Sequence, residues 1–380
     1  MKRVILLGSS GSIGLSTCKV ARQLPEEMKL VGLAVHRSTD LLKEQIAEFS
    51  PHAVAVSNES CAEAVKDEIS CPLYVGENGL VKLVEETEAD LVLVAIVGTS
   101  GLAPALAALK TGKDLAVASK EILVMAGEEV MGTAKQLGRQ VLPVDSEHNA
   151  IFQCLQNAPD KEIQRLILTA SGGPFRETSK EKLKDVTLEQ ALKHPTWDMG
   201  RKITIDSATM FNKGLEMIEA RWLFGVDMDR VDVIVHPQSI VHSLVEFVDN
   251  SILAQLSHSD MCFPIQYAVT YPRRLQNDLK PLDLAELGKL LFEAPDEEKF
   301  PALRLAREAG TVGGTLPAVF NAANEVAVDA FINKQCGFSE IWEIVEKVMQ
   351  SHDSIASPEL GVILSADQWA RDTAQTLLPS

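Results

Sequence analysis

The sequence predicts an α/β protein: an N-terminal doubly wound parallel sheet, then a central α+β domain and a C-terminal helical bundle. Three observations predict it. Short apolar runs alternate with amphipathic segments over residues 1–145, a glycine-rich turn follows the first run, and from about Phe300 the pattern is helical. Alternation of this kind makes parallel strands joined by helices on both faces of one sheet.

In order along the chain, Arg3-Val4-Ile5-Leu6-Leu7 reads as the first strand and Gly8-Ser9-Ser10-Gly11-Ser12-Ile13-Gly14 as the turn into a helix. Gly8 allows a tight bend, Gly11 lets backbone approach a pyrophosphate, and Gly14 lets the helix pack close to the strand, with free helix N–H groups facing the anion. The spacing is G-x-x-G-x-x-G rather than G-x-G-x-x-G; strand, turn and helix in this order mark a Rossmann-like dinucleotide site. The second strand, 30–35, ends in His36-Arg37-Ser38 where an NAD site usually has an acidic residue for the ribose 2′-hydroxyl. Arg37 and Ser38 can meet a 2′-phosphate, so NADPH is favoured over NADH. Arg37 as a solvated loop cation is the alternative, and nearby Asp40 could cap a helix. Further strands are expected at 53–56, 90–96, 114–118 and 140–144. Ligands of such folds lie beyond the carboxyl ends of the strands, so Lys120, Glu121, Asp145 and Glu147 should share one rim.

After the dinucleotide domain (1–145), strands at 165–169, 231–235 and 242–248 mark a central catalytic unit over 146–272. Within it, His194-Pro195-Thr196-Trp197-Asp198-Met199-Gly200 has the proline, glycine and aromatic of a mobile flap spanning 193–201. Trp197 would either close over a ligand or anchor a core. Proline and charge suggest a linker over 273–299, and helical patterns at 302–309, 318–331, 338–350 and 365–377 fill the last domain, 300–380.

Two stretches carry chemistry: Val144-Asp145-Ser146-Glu147-His148 and Asn212-Lys213-Gly214-Leu215-Glu216. At a strand end, Asp145 and Glu147 would project the same way, with Ser146 between them. Glu216 would complete three hard oxygen ligands, which suit Mg²⁺ or Mn²⁺ better than Zn²⁺. Solvated loop charges are the competing reading of Asp145 and Glu147. His194, Arg201, Lys202 and Lys213, interleaved with Ser171, Ser207 and Asn212, suggest a substrate with both a phosphate and a metal-chelating group; scattered salt bridges would explain the same cations.

Composition sets the outer limits. With 380 residues, 46% hydrophobic and 23% charged, the chain can bury more than one core. A formal net charge of −17 argues against a nucleic-acid surface or an acidic membrane as partner. The opening apolar run is too quickly broken by glycine for a signal peptide, which makes the cytoplasm the expected location. Six cysteines without C-x-x-C spacing read as reduced and structural.

Taken together, these motifs resemble one family closely, 1-deoxy-D-xylulose 5-phosphate reductoisomerase, over almost the whole chain. The resemblance rests on Gly8 to Gly14, Ser119-Lys120-Glu121, Val144 to His148, Ala170-Ser171-Gly172-Gly173-Pro174-Phe175, the run from His194 to Glu216, His236-Pro237-Gln238-Ser239 and Asn321-Ala322-Ala323-Asn324-Glu325. It implies an NADPH-dependent, Mg²⁺- or Mn²⁺-requiring homodimer acting on a phosphosugar. By motif, Asp145, Glu147 and Glu216 would hold the metal. Ser146, Ser171, His194, Trp197, Ser207, Asn212 and Lys213 would contact substrate, with Lys120 beside the reacting carbonyl. Ser10, Gly11, Ser12, Ile13, His36, Arg37, Ser38, Ser119, Glu121 and Gly200 would line the cofactor site, and strands around 231–248 would meet at the dimer interface. The chain departs from the family pattern at Ser119, where asparagine is usual, at His36-Arg37, where a glycine-containing pair is usual, and at Leu256-Ser257-His258-Ser259-Asp260-Met261. Two rival classes make different predictions: another two-domain dehydrogenase would need no divalent metal, and a nucleotide-sensing protein would bind NADPH without oxidising it.

Overall fold

A computed structural model describes residues 1–155, 159–197 and 199–378. The chain divides into two compact units, one of residues 1–122, 128–149 and 260–280, the other of 123–127, 150–259 and 281–380.

The first unit is built on a seven-stranded sheet of β1 (Lys2–Leu7), β2 (Met28–Val35), β3 (Ala53–Val56), β4 (Leu73–Val75), β5 (Leu91–Val94), β6 (Asp114–Val117) and β7 (Val141–Pro143). Their order is β4-β3-β2-β1-β5-β6-β7, and every pairing is parallel. Helices cover both faces, so the inner strands are buried and apolar over most of their length: all four residues of β3 and of β5 are buried, as is β1 from Val4 to Leu7. Strand order reverses between β1 and β5, which puts the glycine turn after β1 at the topological switch point, where ligands of open α/β sheets bind. β4 was not expected; Leu73-Tyr74-Val75 is apolar but only three residues long, too short a run to mark a strand, and it is half-exposed. Residues 260–272, expected in the central domain, belong here, where the helix Cys262–Thr270 packs on the helix Ser12–Gln23.

The second unit carries a mixed sheet of β8 (Ile163–Ala170), β9 (Val231–Val235), β10 (Val241–Phe247) and β11 (Ile252–Leu256), in the order β11-β10-β8-β9. β10 runs antiparallel to both of its neighbours, while β8 and β9 are parallel. The helices Ala302–Val312, Leu316–Ile332, Glu340–Gln350 and Leu360–Thr376 share one hydrophobic core with β8, β9 and the helix Phe211–Phe224. Phe175, Phe331 and Trp342 surround Phe338 at centroid distances of 5.1–5.6 Å. The compact units therefore cut the chain differently from the three domains and linker expected from the sequence. Residues 150–259 and 281–380 bury their apolar faces in common, and the stretch read as a linker is paired to the sheet, with Val235 and Glu293 exchanging both backbone hydrogen bonds at 2.9 Å. Among the described residues no helix is long and apolar enough to cross a membrane, and none of the six cysteines is in a disulfide.

Candidate active site

In the first unit the glycine turn is held rigidly. Gly8 and Ser9 both donate backbone N–H to the Ala34 carbonyl, each at 2.9 Å. Gly8 sits at φ +93°, and a Cβ on Gly14 would lie 2.3 Å from the Gly8 carbonyl oxygen, so this close return of the helix onto the strand requires glycine. Gly11 precedes the helix Ser12–Gln23 without a side-chain cap, which leaves the first-turn N–H groups to serve an anion. Ser10, Gly11, Ser12 and Ile13 lie on the partly or fully exposed side of this turn.

One residue that supports the turn escaped the sequence reading. The buried Gln45 accepts from Ser9 Oγ at 2.7 Å and donates to the Ser9 carbonyl at 3.0 Å, locking both ends of that residue. The available signal was a polar side chain among Leu42, Ile46 and Phe49, the apolar positions of its helix.

His36, Arg37 and Ser38 follow β2 and are exposed. His36 Nδ1 lies 2.9 Å from Ser57 Oγ, and Asp40 pairs with Lys43 at 3.0 Å rather than with Arg37. After β6, Ser119 precedes the helix Lys120–Leu137 and donates its hydroxyl to the Ile96 carbonyl, so it ties the ends of β5 and β6 together. Lys120 and Glu121 are buried, and Lys120 Nζ lies 2.8 Å from Asp145 Oδ2 at the carboxyl end of the neighbouring strand. His148 Nδ1 is 3.8 Å from the same oxygen.

The backbone around Asp145 differs from the expected strand end. β7 stops at Pro143, and Ser146 and Glu147 already belong to the helix Ser146–Leu155, whose first hydrogen bond runs from Asn149 N to the Asp145 carbonyl at 2.8 Å. Strand alternation therefore does not orient these carboxylates; the helix start does, with its partial positive charge favouring acidic groups. Ser146 Oγ donates to Glu147 Oε2 at 2.6 Å, and the Asn149 amide pins this turn to the Pro143 and Pro264 carbonyls at 2.9 and 3.2 Å.

In the second unit, Met210 joins the helices Arg201–Thr209 and Phe211–Phe224 at φ +66°. A buried non-glycine residue held in this region costs about 1–3 kcal/mol, which the surrounding core must offset. The turn sets Ser207 at the end of one helix and Asn212, Lys213 and Glu216 in the first turns of the next. Glu216 is fully buried; its Oε1 accepts from Asn212 at 2.6 Å and its Oε2 from Lys213 Nζ at 2.5 Å. Spacings of three and four residues put all three on one helix face.

His194 gathers the rest. Its Nε2 lies 3.1 Å from Ser171 Oγ and 3.0 Å from Ser207 Oγ, while Nδ1 accepts the backbone N–H groups of Thr196 and Trp197 at 3.2 and 2.9 Å. With Nδ1 accepting, a neutral ring carries its proton on Nε2, toward the two hydroxyls. Trp197 is half-buried with its ring 6.3 Å from that of His242, and Thr196 Oγ1 meets Ser239 Oγ at 3.1 Å, so the His236-Pro237-Gln238-Ser239 motif backs the stretch expected to be a flap. Asp198 lies outside the described residues. Gly200 begins the helix Arg201–Thr209, its carbonyl accepting from Thr204 Oγ1 at 2.8 Å. Lys202 takes the salt-bridge alternative, pairing at 2.7 Å with Asp206, which also accepts from Asn324 at 2.9 Å.

Comparison with known proteins follows the same lines. Models of the 1-deoxy-D-xylulose 5-phosphate reductoisomerase family match residues 4–127, with its C-terminal domain models matching 141–224 and 256–373. The reductoisomerase of Chlorobium phaeovibrioides is 51% identical over 384 aligned residues, covering 100% of both chains, and that of Halothermothrix orenii is 50% identical over 377, covering 98% of each. The Zymomonas mobilis enzyme solved in complex with NADPH superposes with a TM-score of 0.91 at 41% identity, covering 99% of this chain and 98% of that one. A DOX-P reductoisomerase in complex with NADPH, fosmidomycin and magnesium gives 0.92 at 40%, with the same coverage.

Proposed function

Since the chain belongs to the 1-deoxy-D-xylulose 5-phosphate reductoisomerase family, we propose that it rearranges and reduces 1-deoxy-D-xylulose 5-phosphate to 2-C-methyl-D-erythritol 4-phosphate with NADPH and Mg²⁺ or Mn²⁺. The observation that carries this reading is the full-length match to a relative solved with NADPH, fosmidomycin and magnesium.

The donor sets fit both groups. Asp145, Glu147 and Glu216 offer carboxylate oxygens, the hard ligands that Mg²⁺ and Mn²⁺ take, and we assign the metal to them. A bound divalent cation supplies Lewis acidity to adjacent carbonyl and hydroxyl oxygens of the substrate, and NADPH supplies the hydride. Lys120, ion-paired with Asp145 at 2.8 Å, presents an ammonium donor to the reacting carbonyl end. Ser146, oriented by Glu147, contributes a hydroxyl beside it.

Ser171, His194, Ser207, Asn212 and Lys213 are assigned to the phosphate, which they meet with hydroxyl, N–H and ammonium donors. His194 links binding to closure: Nε2 faces Ser171 and Ser207 while Nδ1 holds the flap backbone at Thr196 and Trp197. Phosphate binding at one face of the ring thus steadies the flap through the other, so energy gained far from the reacting carbons helps exclude water around them. Trp197 covers the substrate. The turn of Ser10, Gly11, Ser12 and Ile13 takes the pyrophosphate, His36, Arg37 and Ser38 the 2′-phosphate side, and Ser119, Glu121 and Gly200 complete the cofactor site.

The test is NADPH absorbance decay with purified protein and 1-deoxy-D-xylulose 5-phosphate, with Mg²⁺, with Mn²⁺ and after chelation. Decay only with substrate and metal together is expected; folded protein that binds NADPH yet gives no decay would sink the assignment. We further propose a cytoplasmic homodimer. Supporting the dimer, the edge strand β11 exposes Ile252 and Leu253, each 49% accessible, an apolar edge that a second copy would cover.

A further inference from the structure

We infer that Lys299, which lies outside every motif named above, is a positioning residue for the substrate-phosphate loop Ser171-Gly172-Gly173-Pro174-Phe175. The inference rests on the assignment of Ser171 to the phosphate, and it adds what holds Ser171 in place.

Lys299 is only 6% exposed, unusual for a lysine, and its Nζ donates to two successive carbonyls, Phe175 at 2.7 Å and Arg176 at 2.9 Å. These carbonyls close the loop that starts at Ser171. The loop has little freedom at its other points: a Cβ on Gly173 would lie 2.9 Å from the Ser207 carbonyl, so the loop backbone rests on the helix end that carries the second hydroxyl facing His194. Ser171 Oγ accepts the Gly173 N–H at 3.2 Å, which couples the hydroxyl to the same backbone.

Lys299 reaches the loop because the segment before it is fastened to the sheet end. Gln238 binds this segment twice, donating to the Lys289 carbonyl and accepting from Leu291 N, each at 2.8 Å. His236 Nδ1 lies 2.8 Å from the Leu291 carbonyl, and Glu293 pairs with Val235 through backbone and with Arg176 through its carboxylate at 2.5 Å. Asp296 then caps the turn by accepting from Lys299 N at 3.0 Å. A stretch with the composition of a linker is therefore a strap, and its end delivers one ammonium to the back of the loop. Charge-assisted bonds to two carbonyls resist sliding of the loop, and without them both carbonyls would lose a donor.

The experiment uses the full-length protein with NADPH and Mg²⁺, comparing Lys299→Met and Lys299→Arg by steady-state kinetics. For Lys299→Met, the KM for 1-deoxy-D-xylulose 5-phosphate is expected to rise about tenfold while that for NADPH stays within about twofold. Lys299→Arg, whose guanidinium can serve two carbonyls, is expected to recover most of the difference. An unchanged substrate KM in a folded Lys299→Met protein, or an equal rise in both KM values, would overturn the inference. Should the Met variant fail to fold, Lys299→Gln, which is neutral and one atom shorter than lysine, is expected to raise the substrate KM severalfold with the NADPH KM unchanged, and an unchanged substrate KM in that variant would overturn the inference. Failure of the functional assignment itself is distinct, because the unmodified protein would then give no turnover.

Discussion

Glu216 shows how a single carboxylate can be prepared for a cation. It is fully buried, and a donor from Asn212 or Lys213 sits on each oxygen, so its charge is compensated and its orientation fixed before any ligand arrives. Glu216→Gln keeps the shape but sets an amide N–H against one of those donors. Metal-dependent NADPH oxidation is expected to fall by at least 10³-fold, on the scale of removing a major transition-state electrostatic contact. NADPH affinity, measured by fluorescence titration, should stay near that of the unmodified protein, since the glycine turn belongs to the other compact unit. Equal loss of both would mean that the metal has been misplaced. Gln45 calls for the converse result. Replacing it with Leu leaves Ser9 without its paired bonds, so the dissociation constant for NADPH should rise about tenfold, with little change in the KM for substrate. Cysteines provide a third check at this scale. Burial pushes the Cys18 thiol up to about 11, and burial with the Asp260 carboxylate alongside pushes Cys262 up to about 12. Both are protonated thiols at pH 8, so a thiol-reactive disulfide reagent should modify these two only after denaturation; peptide mapping that finds either one labelled rapidly in the native protein, where the half-exposed Cys61, Cys71 and Cys336 can react, would contradict their burial.

At the scale of elements, the β1-turn-helix unit tolerates little change. Gly14→Ala would drive a methyl group into the Gly8 and Ser9 backbone, and relief requires the helix to move off the strand. The expected result is loss of NADPH binding with a melting temperature lowered by several degrees, consistent with overpacking of about 1–3 kcal/mol; a variant with intact affinity would show that the turn can relax. Elements like this were legible in the sequence because apolar runs, glycines and order agree with one another. Those that were not legible depend on backbone pairing that leaves no pattern in side chains. β4 offers only Leu73-Tyr74-Val75 and β11 only Ile252-Leu253-Ala254 before Gln255, so each apolar run is too short to mark a strand and neither alternates with polar residues. The strap before Lys299 has the prolines and charges of a linker, yet its carbonyls and N–H groups are engaged by Val235, His236 and Gln238. Asp145 and Glu147 were identified as a pair by residue type, but their geometry was misjudged: the chain turns helical at Ser146, and a two-residue spacing means something different there. The roles of Ser171, His194 and Ser207 came from motif likeness, while the imidazole that joins both hydroxyls to the flap backbone became visible only in three dimensions.

For the whole molecule, composition and charge agree with a small-molecule enzyme. The net charge of −17 leaves binding of an anionic substrate to local donors rather than to a general basic field. Assembly is the feature that one chain leaves to experiment. An edge strand normally carries charge, proline or a covering element to stop it from pairing with another chain, whereas β11 presents Ile252 and Leu253 half-exposed beside Ala254. Burial of such an edge against its symmetry mate would give an isologous interface with the same residues contributed by both copies. Light scattering on a size-exclusion column should therefore return twice the protomer mass at about 10 µM, well above the dissociation constants of obligate dimers. Introducing charge by Ile252→Glu with Leu253→Glu should shift the species toward monomer, because two like-charged edges then face each other across the two-fold axis. A monomer from the unmodified protein would remove the dimer proposal; a dimer that survives the double substitution would keep the assembly and move its interface away from β11.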